Sequence, residues 1–194
     1  MESEKEREQW LRRLEATGRA QSRYLWITLV ACLFFLALRH SAPSTQTISV
    51  PVIDLKLDAS AVLASGGTII AFVVLASLGA ILSWSTALRR YGGESWREHA
   101  ERLDTHPNVL DLAIYTAPGS GTLFGKIVYF VYPLYLTVAL AESAWLQWWV
   151  WNNSAPARWF FIVAWILVWS RAALLIGRVW WQRIGLTRSS KKAG

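Results

Sequence analysis

The chain is poor in the residues that build reactive centres. It has one cysteine, Cys32, so no intrachain disulfide can form and no thiolate cluster can hold zinc or an iron–sulfur group. Its three histidines are His40, just past an apolar stretch, and His99 and His106 in a polar segment. None falls inside an apolar stretch, which argues against a bis-histidine haem held between helices or a chlorophyll ligated by histidine. Charge is scarce too: 17% of the 194 residues, against roughly 25% in soluble domains.

What the chain does have is apolar sequence, 54% of its residues, gathered in blocks rather than scattered at core periods. Blocks of this kind mean lipid. The net charge of +7 lies mostly beside those blocks. There it serves orientation and contact with anionic headgroups, so no nucleic-acid partner is expected.

Four stretches read as membrane spans, at about 24–40, 59–88, 127–150 and 159–180. The first, YLWITLVACLFFLAL, is short for a bilayer, but Arg23 and Arg39 can snorkel from its ends. A Glu-rich segment precedes it and the Arg39–Ala42 exit lacks small residues at both cleavage positions, so it reads as an anchor rather than a signal peptide. The second carries no charge from Ala59 to Leu88 and must tilt or emerge at one end. Small residues recur in it at four-residue steps: Gly67 with Ala71, Ala76 with Ala80, and Gly79 with Ser83 and Ala87. In lipid, where packing replaces the hydrophobic effect, such positions form a helix-packing face, either within the chain or toward a second copy.

Seventeen of the twenty Lys and Arg residues lie before span one, between spans two and three, or from Arg171 onward. The positive-inside rule therefore puts both termini and the Arg89–Lys126 loop in the cytoplasm. Residues 1–23 read as a charged cytoplasmic helix, 24–180 as the four-span domain and 181–194 as a basic cytoplasmic tail. Trp145, Trp148, Trp149, Trp151 and Trp159 suit the outer interface, and Trp26, Trp84, Trp180 and Trp181 the inner one. Trp165 and Trp169 fall in mid-span. They pack inward, face lipid, or touch a hydrophobic partner or a lipid or pigment tail.

In the N-terminal segment, Glu8 and Arg12 can pair at i,i+4, and Trp10 and Leu14 make a narrow apolar edge that should lie on the membrane or against a partner. In the first loop, residues 47–58 alternate around Pro51 and read as a short extended segment that caps the bundle or pairs with another subunit's strand. The cytoplasmic loop reads as an interfacial helical hairpin. It opens at Ser95–Glu98 with a capping-box pattern, continues with a second turn over Val109–Tyr115, and ends in a turn at Ala117–Gly121.

Reactive motifs are thin. GSGTLFGK, at 119–126, resembles a phosphate loop but has Ser120 where the first glycine belongs and Ile127 at the Ser/Thr position. His99, His106, Glu101 and Asp104 lack a recognised metal spacing. No Ser–Lys, Asp–Asp or His–Glu pair lies within the spans, so no catalytic residue, cofactor or metal is expected. Two charges stand out. Glu142 lies in span three above a stripe of Tyr132, Tyr135 and Ala139, and Arg171 lies in span four. An interhelical Glu142–Arg171 pair setting the register of the two spans is the first reading. A partner subunit's charge comes next, and an ion or proton path through Glu142 after that.

The run Val50-Pro51-Val52-Ile53-Asp54-Leu55-Lys56-Leu57 lies between a first and a long second span. Together with Tyr132-Pro133-Leu134 and Gln147-Trp148-Trp149, it resembles bacterial four-span membrane modules, some of which precede pentapeptide repeats. The resemblance implies architecture only. The expected protein is an all-α bacterial inner-membrane protein with four transmembrane helices and no enzymatic activity. Its expected role is that of an accessory or scaffolding subunit of a larger, energy-converting or pigment-containing complex, in contact with lipids and other membrane subunits. A small homo-oligomeric channel or transporter using Glu142 is the alternative.

Overall fold

A computed structural model describes residues 4–41, 47–50, 55–92, 123–152 and 158–190. They form four long helices and one small hairpin: α1 (Glu4–Ser41), β1 (Thr47–Val50), β2 (Leu55–Asp58), α2 (Ala59–Gly92), α3 (Leu123–Asn152) and α4 (Arg158–Ser190). The expected cytoplasmic hairpin, the phosphate-loop-like turn, and His99, Glu101, Asp104 and His106 lie wholly or mainly outside the described residues.

Sequence chemistry accounts for most of these boundaries. Residues 4–41 contain no proline, and Pro43 follows at once. Accordingly the charged N-terminal segment and the first apolar stretch form one uninterrupted helix of 38 residues. Asp58, a favoured N-cap type, precedes α2, and α2 ends on Gly92. Pro133 sits inside α3, where it cannot donate to the carbonyl four residues back. The extended segment of the first loop pairs with itself: β1 and β2 are antiparallel, with Thr47 opposite Asp58 and Val50 opposite Leu55.

Among the described residues, three helices are long and apolar enough to cross a membrane, over Glu8–His40, Ala61–Trp84 and Trp159–Trp181. Half of the apolar window of α2 is buried, whereas fewer residues are buried in those of α1 and α4. The uncovered side chains are apolar and suit lipid contact: Trp26, Phe34, Phe72, Phe160 and Leu167 are all exposed.

The chain divides into two compact units. The first comprises Met1–Leu25, Ala76–Tyr135 and Ile176–Gly194. In it Leu14 and Gln21 of α1 are buried, Gly18 lies against the Trp84 indole, and the Tyr135 hydroxyl donates to the Leu25 carbonyl at 3.1 Å. Phe130 stacks on Trp180 with ring centroids 5.8 Å apart. Trp84 packs against protein, with its indole at ordinary contact distance from Gly18. Glu8 and Arg12 form the expected surface ion pair at 2.7 Å.

The second unit comprises Trp26–Leu75 and Leu136–Leu175. Its centre is the contact between α2 and α3, with Ile70, Ala71, Val74, Leu136, Leu146 and Val150 buried. Within this unit α3 lies parallel to α1, since Cys32 meets Glu142 and Arg39 meets Trp145. It lies antiparallel to α2, with Gly67 beside Ser143 and Ala64 beside Val150. It is antiparallel to α4 as well, where Trp165 reaches Ser143 and Trp169 reaches Leu140.

The small residues of α2 do not make one packing face. Gly67 and Ala71 are buried, Ala76, Ala80 and Ser83 are half-buried, and Gly79 is exposed with open space where a Cβ would stand. At about 100° per residue, Ala76 lies about 180° round the helix from Gly67, and Gly79 about 120°. Four-residue spacing aligns neighbours within a pair but does not align one pair with the next. Gly66 adds a contact that the spacing did not single out: a Cβ there would lie 2.6 Å from the Phe35 ring.

Candidate functional site

Polar groups gather in the second unit at two places on α3, both set by helical geometry. The first is the junction of α2, α3 and α4. Ser143, fully buried, donates from Oγ to the Gly67 carbonyl at 2.6 Å. Trp165 Nε1 donates to the same Oγ at 2.9 Å. One turn along α4, Trp169 Nε1 donates to the Leu140 carbonyl at 3.1 Å. Thr68 ties α2 to α4 through the Phe161 carbonyl at 3.2 Å. A serine is suited to this junction because its hydroxyl can donate and accept at once. The approach is close because residue 67 has no side chain: a Cβ there would lie 2.8 Å from both the Ser143 carbonyl oxygen and Gln147 Oε1.

Both mid-span tryptophans therefore turn their N–H groups inward to α3, with ring centroids 5.5 Å apart. Of the three readings open from sequence, inward packing describes their polar edges. The rings themselves stay half-buried.

The second place is the seam of α1 and α3. The Cys32 thiol is in hydrogen-bonding contact with the Glu142 carboxyl. Glu142 Oε1 is buried without a hydrogen-bond partner. One turn along α3, Trp145 lies under Arg39, whose guanidinium carbon is 3.0 Å from the ring centroid. Facing an indole ring lets a cation keep its charge where water is scarce. Arg39 Nη1 is also buried without a hydrogen-bond partner. Gln147, 4% exposed, has neither amide atom hydrogen-bonded.

Among the described residues, Glu142 and Arg171 do not pair. Helical phase explains why. On α3 the side toward α4 carries Leu140 and Ser143, and Glu142 lies about 100° from Ser143 and farther from Leu140. On α4 the side toward α3 carries Trp165 and Trp169, and Arg171 lies about 140° from their midline. Glu142 faces α1 instead, and Arg171 is exposed. A charge at such a position costs roughly 2.5–3.5 kcal/mol on membrane-insertion scales.

Sequence reasoning did not single out Cys32, Arg39 or Gln147 as contact residues. Cys32 and Glu142 each sit mid-way along their apolar stretches, and that common depth was a usable signal. Nothing in spacing marked Gln147. Chemically, the seam can hold or exchange one proton at Glu142. Among the described residues, no group of three or more His, Cys, Asp or Glu side chains gathers to hold a metal.

No family model, curated protein or solved structure matches the chain. The resemblance to four-span modules rests on the sequence runs alone. Of these, Tyr132 and Pro133 are buried in α3 and Leu134 is exposed.

Proposed function

We propose that the chain is a four-span inner-membrane protein of a bacterium, with both termini in the cytoplasm, acting as a non-catalytic accessory or scaffolding subunit of a larger membrane complex. Support for α3 as the additional span comes from its length and its partners. Thirty residues at 1.5 Å each give about 45 Å, more than a hydrocarbon core of about 30 Å. Parallel packing on α1 and antiparallel packing on α2 and α4 is the arrangement that alternating spans require. The distribution of Lys and Arg supports the orientation.

One observation carries the scaffolding role: four polar side chains of the second unit hydrogen-bond from one helix to another. Ser143, Trp165, Trp169 and Thr68 join three helices to one another. That is the chemistry of a rigid membrane scaffold. The test is purification from native membranes in mild detergent, with mass spectrometry and an absorption spectrum of the eluate. Stoichiometric membrane partners are the expected result, and visible absorbance would mark a pigment-containing complex. A colourless eluate holding this chain alone would overturn the reading.

A second reading, a small homo-oligomeric channel or transporter, draws on Glu142, whose Oε1 is buried without a hydrogen-bond partner beside Cys32. In proteoliposomes it requires ion flux that Glu142→Gln alters while assembly stays intact. Absence of flux in the wild-type protein removes it.

A further inference from the structure

The outward side of α4 in the second unit has a pattern that lipid contact alone does not require. Phe160, Val163, Leu167, Ser170 and Leu174 follow one another at steps of 3, 4, 3 and 4 residues, and all are exposed. That is the spacing by which one helix presents a seam to another. Phe160, Leu167 and Leu174 are each at least 65% uncovered. Arg171 borders the seam, exposed and without an ion pair among the described residues. It lies twelve residues from Trp159 and ten from Trp181, the ends of the apolar segment. At 1.5 Å per residue these are about 18 Å and 15 Å, both longer than an arginine side chain, so a snorkelling stem would leave much of the depth uncrossed.

We propose that this face of α4 docks a transmembrane helix of a different membrane protein, one carrying an Asp or Glu that pairs with Arg171. The inference rests on the subunit reading above and names its contact surface. Charge complementarity selects the occupant. A cation held in hydrocarbon needs an anion at its own depth, and an apolar helix of any sequence would leave it unmet. A second copy of this chain does not supply that anion from the described part of its spans. There the only acid between Trp26 and Trp181 is Glu142, whose Oε1 is buried on the seam with α1.

The test places a photo-crosslinking amino acid at Val163 or Leu174 in the full chain, in native membranes, with Phe72 on the exposed side of α2 as the comparison site. Expected are adducts from Val163 and Leu174 with one polypeptide other than this chain, whose membrane span contains Asp or Glu. Arg171→Leu should lower their yield roughly tenfold or more, because removing one member of a desolvated charge pair strands the other. Arg171→Lys should keep most of it. Arg171→Glu combined with an Arg at the partner's acidic position should restore it. Leucine is well tolerated by a membrane helix, so loss of insertion is not the expected effect of Arg171→Leu, and amounts of inserted protein are measured alongside. Adducts with lipid only, adducts with a second copy only, or a yield unchanged by Arg171→Leu would overturn the proposal. If partners co-purify but crosslink only through Phe72, this surface is wrong and the subunit reading stands. If none co-purifies, the subunit reading itself falls.

Discussion

Replacing Gly67 with alanine should destabilise the protein, whereas the same change at Gly79, twelve residues along α2, should not. The methyl group at 67 would stand 2.8 Å from the Ser143 carbonyl oxygen, where ordinary contact begins at 3.4 Å, so α2 and α3 must part by roughly 0.6 Å. That oxygen is backbone and cannot rotate away. Overpacking of this kind costs about 1–3 kcal/mol. Parting the helices also stretches the 2.6 Å bond from Ser143 Oγ to the Gly67 carbonyl, and interhelical hydrogen bonds in membranes contribute roughly 0.6 kcal/mol on average. At Gly79 no atom lies within 4 Å of the added methyl. Any gain in helix propensity from Gly to Ala is of similar size at both positions and cancels in the comparison. Gly67→Ala should therefore be less stable than Gly79→Ala by about 1.5–4 kcal/mol. Reversible unfolding in mixed micelles, followed by tryptophan fluorescence, measures the difference. Equal stabilities would refute the close approach of α2 and α3.

Other perturbations probe the remaining contacts. Ser143→Ala and Trp165→Phe should each destabilise by about 0.5–2 kcal/mol. The double variant should cost less than the sum, because both remove the same 2.9 Å bond; strict additivity in the unfolding assay would argue against that bond. Arg39→Gln should lose about 0.5–2 kcal/mol through the missing cation–π contact with Trp145, and Arg39→Gln in a Trp145→Leu background should lose much less. Glu8→Ala, by contrast, should change stability by less than about 0.5 kcal/mol, since the pair with Arg12 is exposed and screened by salt; a larger loss would show that the N-terminal turns of α1 are held by that charge.

Much of the helical layout was legible because hydropathy and breakers act locally. Asp58 before the apolar run marks where α2 begins, and the alternation around Pro51 marks extended chain, although its pairing with itself as a hairpin was not read from it. Glu8–Arg12 was legible for the same reason, since i,i+4 neighbours meet on any helix. The Glu142–Arg171 pair failed at the next level. Depth along the axis was a fair guide, but phase round the helix was left out. The two mid-span tryptophans carried that phase: once they face α3, Arg171 must face away. The small-residue stripe failed likewise, since Gly67 and Ala76 are close in sequence and opposite in azimuth. The link from Cys32 to Glu142 and the seating of Arg39 on Trp145 needed knowledge of which helices are neighbours, and no local window contains that.

By itself the sequence determined that this is a protein of long apolar helices with the scarce charges in identifiable places, and among the described residues three helices are long and apolar enough to cross a membrane. Those properties follow from each segment's own composition, because an apolar run in lipid must satisfy its backbone internally and a helix does so without help from other segments. Tertiary structure alone decided which side of each helix is covered. Ser143 became a junction, Glu142 turned to Cys32, and Arg171 was left facing outward. The reason is that these contacts join residues as much as 110 positions apart, as Leu25 and Tyr135 are. Their partners are set by the pairing of whole helix faces, and a small rotation of any one helix would exchange them.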